Sequence, residues 1–215
     1  MKKLFGLLII ISAFMLLAPT AQAQESDYAP TMVIKTNPLA ALGGPFWVVI
    51  IPLTGEYKAL FEIKTLAKQS VTIGASFLGP SLLLNMDEIT TEGEDISGIN
   101  TAGFRAQLWY KFYIGRDKEA PEGFYLGPHI SYATANLTSK DVTSDKLSMV
   151  KLNVNAVIGY QLITSGGFAF DVFTGLGLKN LGFTAEGDSG DILDFEMDDK
   201  FTPSVVLGIN FGFAF

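Results

Sequence analysis

The chain has no cysteine in its 215 residues. That excludes a disulfide framework, thiol chemistry and a lipidated-cysteine anchor. It has a single histidine, His129, so no ordinary zinc site can be assembled. Charged residues make up only 17%, and the formal net charge is −7. Nucleic acid is a poor partner for so acidic a protein. Hydrophobic residues reach 48%, yet beyond the N-terminus no segment approaches the run of about 20 apolar residues that a spanning helix requires. The richest stretch, Gly44 to Leu53, is too short and carries Pro45 and Pro52. No Gly-rich phosphate loop follows a strand and opens a helix. There is no internal repeat, low-complexity tract or domain linker. No cofactor and no metal are expected.

Residues 1–23 are a separate object. Lys2 and Lys3 form a charged start, Leu4 to Leu17 an apolar run, and Ala21-Gln22-Ala23 a small-x-small cleavage site. This predicts a secretory signal peptide cut after Ala23, leaving 24–215 as one domain. Loss of the two lysines moves the formal charge from −7 to −9. A hydrophobic, exported chain without a spanning helix leaves two solutions: a secreted β-protein or a closed barrel in an outer membrane.

The terminal stretch favours the barrel. Val205, Leu207, Ile209, Phe211, Phe213 and Phe215 alternate with Val206, Gly208, Asn210, Gly212 and Ala214. Period-two alternation puts the large apolar set on one face of a strand. A row ending in three phenylalanines suits a face that meets lipid. The same rhythm recurs upstream and predicts eight strands near 33–42, 46–61, 70–84, 99–115, 123–137, 146–163, 167–180 and 201–215. The fold class is therefore an all-β, antiparallel transmembrane β-barrel of about eight strands. An even count puts both termini on one side. The expected periplasmic turns are Glu62–Gln69, Arg116–Glu122 and Thr164–Gly166. The expected outer loops are a short one near Gly43–Pro45, then Asn85–Gly98, Thr138–Asp145 and Leu181–Lys200.

Charge separates into two places. The loops 85–98 and 181–200 carry most of the carboxylates, which reads as divalent-cation capture or as solvated loops resisting self-association. No twelve-residue calcium loop is present. The strand parity sends Lys35, Glu56, Lys58, Arg105, Lys111, Lys151, Asp171 and Lys179 inward, with Gln107, Asn153, Asn155, Gln161 and Asn210. An eight-stranded interior is just wide enough for side chains to fill it. Buried charges must be paired or wetted, so Glu56 and Asp171 are expected hubs for the lysines and Arg105.

His129 and Ser131 stand at i and i+2, on one face of a strand, where a Ser–His pair could form. Their spacing resembles that of outer-membrane lipid A deacylases of the PagL type, whose pair faces lipid. Here Leu126, Ile130 and Tyr132 are the better lipid-facing set, and Tyr132 follows Ser131 where that family has Asn.

Three segments carry a wider resemblance: Val33-Ile34-Lys35-Thr36-Asn37-Pro38-Leu39, Trp109-Tyr110-Lys111-Phe112-Tyr113 and Ala120-Pro121-Glu122-Gly123-Phe124-Tyr125-Leu126-Gly127-Pro128. They resemble small exported β-barrel proteins of Bacteroidota catalogued as a domain of unknown function, with a KTN first strand and a P-x-G-F-Y-x-G-P middle strand. The resemblance implies an OmpA- or OmpX-like fold and an address, and no activity. The end of the chain, with Ile209, Phe211, Phe213 and Phe215, also resembles the signal read by barrel-assembly machinery. The Gly-x-x-aromatic-x-aromatic form fits Gly208 to Phe213, two residues early. The expectation is a monomeric, non-enzymatic protein of a Gram-negative outer membrane, in contact with its lipid and lipopolysaccharide. Its role would be structural or in surface interaction. The alternatives are a narrow pore or small hydrophobic-ligand transporter, a lipid A deacylase, and a soluble barrel of lipocalin type.

Overall fold

The structure is a computed structural model that describes residues 30–48, 51–82, 99–116, 118–139, 146–186, 194–195 and 200–215. The expected signal peptide, the expected acidic loop 85–98 and most of 187–199 lie outside the described residues.

Eight strands close into an antiparallel barrel: β1 Met32–Thr36, β2 Gly55–Leu66, β3 Gln69–Gly79, β4 Ile99–Tyr113, β5 Gly123–Ser139, β6 Lys146–Ile163, β7 Phe168–Glu186 and β8 Thr202–Ala214. Each pairs with its neighbours in sequence, and β8 returns to β1 through Val33↔Ala214 to Thr36↔Phe211. Closure leaves no free sheet edge at that level. Among the described residues no helix is long and apolar enough to cross a membrane.

Three connections differ from expectation. The first turn is Ala67–Lys68, so Glu62 lies inside β2 rather than in a Glu62–Gln69 turn. The alternation from Glu56 through Lys58 and Leu60 simply continues, because partners across the lumen neutralise the Glu62 carboxylate. The segment from Leu181 to Glu186 extends β7, with Leu181 and Phe183 packed inward; only the part beyond it is a loop. The link between β1 and β2 is the long segment Asn37–Thr54, not a short turn near Gly43–Pro45. Pro38 donates no ladder bond, and β1 gives way there to a 3-10 helix at Pro38–Ala41.

That link folds into the barrel mouth. Phe46 is 2% exposed and packs against Leu78, Ala133, Ala135, Leu137 and Met149. Three bonds fix it to the wall: Leu82 N donates to Ala41 O (3.0 Å), Ser81 Oγ to Leu42 O (2.6 Å) and Lys151 Nζ to Pro45 O (2.6 Å).

At the opposite end, Val33, Ile163, Ala169 and Ala214 form an apolar floor. At the same end Ala120 and Pro121 of the turn 114–122 tuck into the lumen, Ala120 buried with Tyr113 and Tyr125. Lys68 Nζ holds that turn through Gly115 O at 2.7 Å and through the Lys118 carbonyl. The Lys64 ammonium beside the exposed Glu119 holds its carboxyl below the usual carboxylate range.

Outside, the surface is apolar. Ile73, Leu108, Ile130, Val154, Leu176 and Leu207 all stand exposed on the outer face. Above them Tyr57, Phe77 and Phe104 sit side by side in register, and Phe104 also meets Tyr132 of β5.

Phe46→Ala should lower unfolding stability by about 3 kcal/mol, the usual cost of emptying a buried aromatic site. Urea unfolding of the folded barrel measures it. An unchanged midpoint would show that the Asn37–Thr54 link is not anchored by this ring.

Candidate functional site

The lumen holds two polar layers separated by Trp109, Val157 and Phe173. The Trp109 ring meets Phe173 edge-on at 4.5 Å and His129 at 4.8 Å.

The lower layer is built around two lysines. Lys35 Nζ donates to Glu62 Oε2 (2.6 Å), Gln161 Oε1 (2.7 Å) and Asp171 Oδ2 (2.8 Å). Lys111 Nζ donates to the same three oxygens at 3.1, 3.2 and 3.1 Å. Each ammonium has three N–H donors, and each finds three acceptors. Two positive charges face two carboxylates, so the cluster is neutral. The outer lone pairs are also used. Glu62 Oε1 accepts from Ser70 Oγ (2.5 Å) and Tyr113 OH (2.7 Å), and Asp171 Oδ1 accepts from Tyr125 OH (2.6 Å). Asn210 Nδ2 reaches Asp171 Oδ2 at 3.4 Å, and Gln161 Nε2 donates to Pro121 O at 2.7 Å. Lys111 also lies 4.0 Å from the Tyr125 ring centroid, a cation–π contact.

Every one of the eight strands contributes a side chain to this belt. Two glycines make room for it. A Cβ on Gly212 would fall 2.0 Å from Ile34 O and 2.8 Å from Lys35 Cγ; one on Gly159 would fall 2.5 Å from the Tyr125 ring.

The upper layer is looser and positively charged. Glu56 is its hub: it accepts from Ser76 Oγ (2.7 Å), Arg105 Nη1 (2.9 Å) and Gln107 Nε2 (3.1 Å), with Lys58 Nζ at 3.3 Å. Arg105 Nη2 donates to Ser131 Oγ at 3.0 Å. Lys151 and Lys179 also face this space, and among the described residues no carboxylate pairs with either. Arg105 Nε, Asn153 Oδ1 and Asn155 Oδ1 are buried without a hydrogen-bond partner among the described residues.

The structure therefore places Lys35, Glu56, Lys58, Arg105, Lys111, Lys151 and Asp171 of the inward set in the lumen, and half-buried Lys179 follows Asp171 in the strand's alternation. Lys35, Lys111 and Asp171 meet in the lower layer; Glu56, Lys58 and Arg105 meet in the upper one. Lys151 caps a loop carbonyl instead of joining either. Glu62 was missed, although its parity with Glu56 and Lys58 carried the signal. Ile209, Phe211, Phe213 and Phe215 lie on the outer face, where Phe211 and Phe213 meet Phe168 and Phe170 of β7.

His129 points inward and is fully buried. Its Nε2 lies 3.4 Å from Gln107 Oε1, and its Nδ1 lies 3.4 Å from Asn155 Nδ2. Ser131 Oγ is engaged by Arg105 and, at 3.5 Å, by Asn153. Each residue is thus bonded elsewhere, and no His129–Ser131 bond occurs among the described residues. No group of three or more His, Asp or Glu is placed to hold a metal among the described residues.

No family model, curated protein or solved structure matches this chain.

Glu62→Gln keeps the shape but leaves two buried lysines facing one carboxylate. It should destabilise the barrel by about 3–5 kcal/mol, the range for a buried ion pair broken from one side. Glu119→Gln, at an exposed pair, should leave the urea midpoint unchanged. Equal midpoints for both variants would remove the lower belt as a source of stability.

Proposed function

We propose that this chain is a non-enzymatic outer-membrane β-barrel of a Gram-negative bacterium, exported by a cleaved signal peptide, with a structural or surface-interaction role in the envelope. The observation that carries the reading is the inverted distribution of polarity. Apolar side chains cover the outside of a closed barrel and the charged ones fill its inside. A barrel in water gains by the reverse arrangement, whereas a barrel in lipid needs this one. The terminal Phe213 and Phe215 suit recognition by barrel-assembly machinery, and the outer face suits contact with lipid and lipopolysaccharide as a monomer.

The lower belt argues against a pore as the main function. Two lysines, two carboxylates and two tyrosine rings occupy the lumen at one level, above an apolar floor. An ion crossing there would have to break bonds already made in a low-dielectric space. The bonding of His129 and Ser131 to other partners argues likewise against a lipid A deacylase.

The protein should fractionate with the outer membrane and show heat-modifiable gel mobility in detergent. A stable, detergent-free periplasmic monomer would sink the reading. Planar bilayers containing the purified barrel should give flat traces at all voltages; stepwise conductance would revive the pore. Lipid A mass spectra should be identical with and without His129→Ala or Ser131→Ala.

A further inference from the structure

Among the described residues the barrel wall is incomplete on one side. β1 is only five residues long, and it pairs with β8 solely between Thr36↔Phe211 and Val33↔Ala214. Among the described residues, Thr202–Asn210 is laddered to β7 and to no second strand. The 3-10 helix at Pro38–Ala41 fills part of the space, but it leans on β2: a Cβ on Gly55 would lie 2.6 Å from Ala41 O. A gap therefore separates residues 37–45 from the upper half of β8.

The gap opens at lipid level. Val205 and Leu207 flank it and are 74% and 76% exposed on the outer face. They pair with Leu176 and Thr174, well below the Asn180↔Leu152↔Tyr132 row at the aromatic border. A bare strand edge in hydrocarbon costs several kcal/mol per unpaired group unless it lines a wet cavity. A polar-lined cavity is there. It has a volume of about 440 Å³ and runs from Leu39, Ala40 and Ser204–Ile209 inward to Lys58, Arg105, His129 and Lys151.

Its charge is one-sided. Lys58, Arg105 and Lys151 face a single carboxylate, Glu56. The buried Arg105 Nε has no partner among the described residues, and Lys151 holds only the Pro45 carbonyl there. The cavity is thus polar and cationic at its inner end, and apolar at its outer end.

We propose that this opening is a lateral binding site for a single-chain amphiphile with an anionic head. The chain enters between Leu39–Ala40 and Val205–Leu207, and the head lies against Arg105 and Lys151. The site rests on the membrane reading above and goes beyond it by giving the upper layer a ligand class. Carboxylate and phosphate heads share the required chemistry, and the test separates them.

The full mature chain is refolded into phosphatidylcholine vesicles, and heat-modifiable mobility verifies insertion first, so a failure to insert is seen apart from a failure to bind. Palmitate carrying a diazirine on a chain carbon close to its carboxylate, the part that passes the opening, is the probe, mapped by peptide mass spectrometry. Labelling should concentrate in residues 37–45 and 202–210 and be displaced by excess palmitate, by hexadecyl phosphate, or by both. Displacement by one alone identifies the head. Lys151→Gln and Arg105→Gln should each weaken labelling about tenfold, as expected for a lost bond to a charged group. Lys151→Gln removes only one loop contact, so it keeps the test valid where Arg105→Gln fails to fold. The proposal is overturned by equal displacement with neutral hexadecanol, by label spread evenly around the outer band, or by unchanged labelling in a folded Lys151→Gln barrel.

Discussion

Two ammonium groups share three oxygens in the lower lumen, and the rest of the barrel is arranged around that fact. Lys35 and Lys111 each donate to Glu62, Gln161 and Asp171. Burying four charges costs several kcal/mol per ion unless geometry and further hydrogen bonds offset it. Here the offset comes from Ser70, Tyr113, Tyr125 and Asn210, so the network draws on β1 through β8 without a gap. A one-residue slip of any strand would turn its contribution to the outer face of the barrel. The belt therefore fixes register in all eight strands at once, which the outer apolar face cannot do. Outside, one large apolar side chain is nearly as good as another; inside, Lys35 has no substitute position.

The upper layer follows a different logic. It draws its bonded groups from β2 to β6, has one carboxylate for several cations, and leaves polar atoms on Arg105, Asn153 and Asn155 without partners among the described residues. Unsatisfied buried groups are a cost that native proteins rarely carry without reason. The contrast within a single lumen is informative, because the same chain shows at the lower level what full satisfaction looks like. The apolar shelf of Trp109 and Phe173 keeps the two layers apart, so the open upper space does not continue into the closed lower one.

Much of this was legible in the sequence. Parity alone sent Lys35, Glu56, Arg105, Lys111 and Asp171 inward and placed Ile209, Phe211, Phe213 and Phe215 outside. It works because alternation in a strand is a rigid geometric rule, insensitive to details of packing. The rule failed where it was not applied far enough. Glu62-Ile63-Lys64 reads as a polar turn if isolated charges are taken as solvated, and only the lysines from β1 and β4 reveal that Glu62 is paired. Asn37–Thr54 was illegible for another reason. Its path depends on Phe46 finding a pocket formed by β3, β5 and β6, and no local pattern encodes a contact with residues so distant in the chain. That a single space admits two lysines on three shared oxygens is likewise a property of closure, invisible along any one strand.

The short first strand links the two levels. β1 needs only to reach Lys35 for the belt to close, and Thr36 Oγ1 then ties its end to Lys58 O at 2.7 Å. One residue later Asn37-Pro38 removes the donor that a longer strand would require. A chain selected only for wall integrity would continue β1 upward and pair it with Val205 to Asn210. This chain instead spends that length on a 3-10 helix and an inserted link, and it can do so because the belt below already holds β8 against β1. Stability concentrated at one level of the barrel is what permits the wall to be open at another.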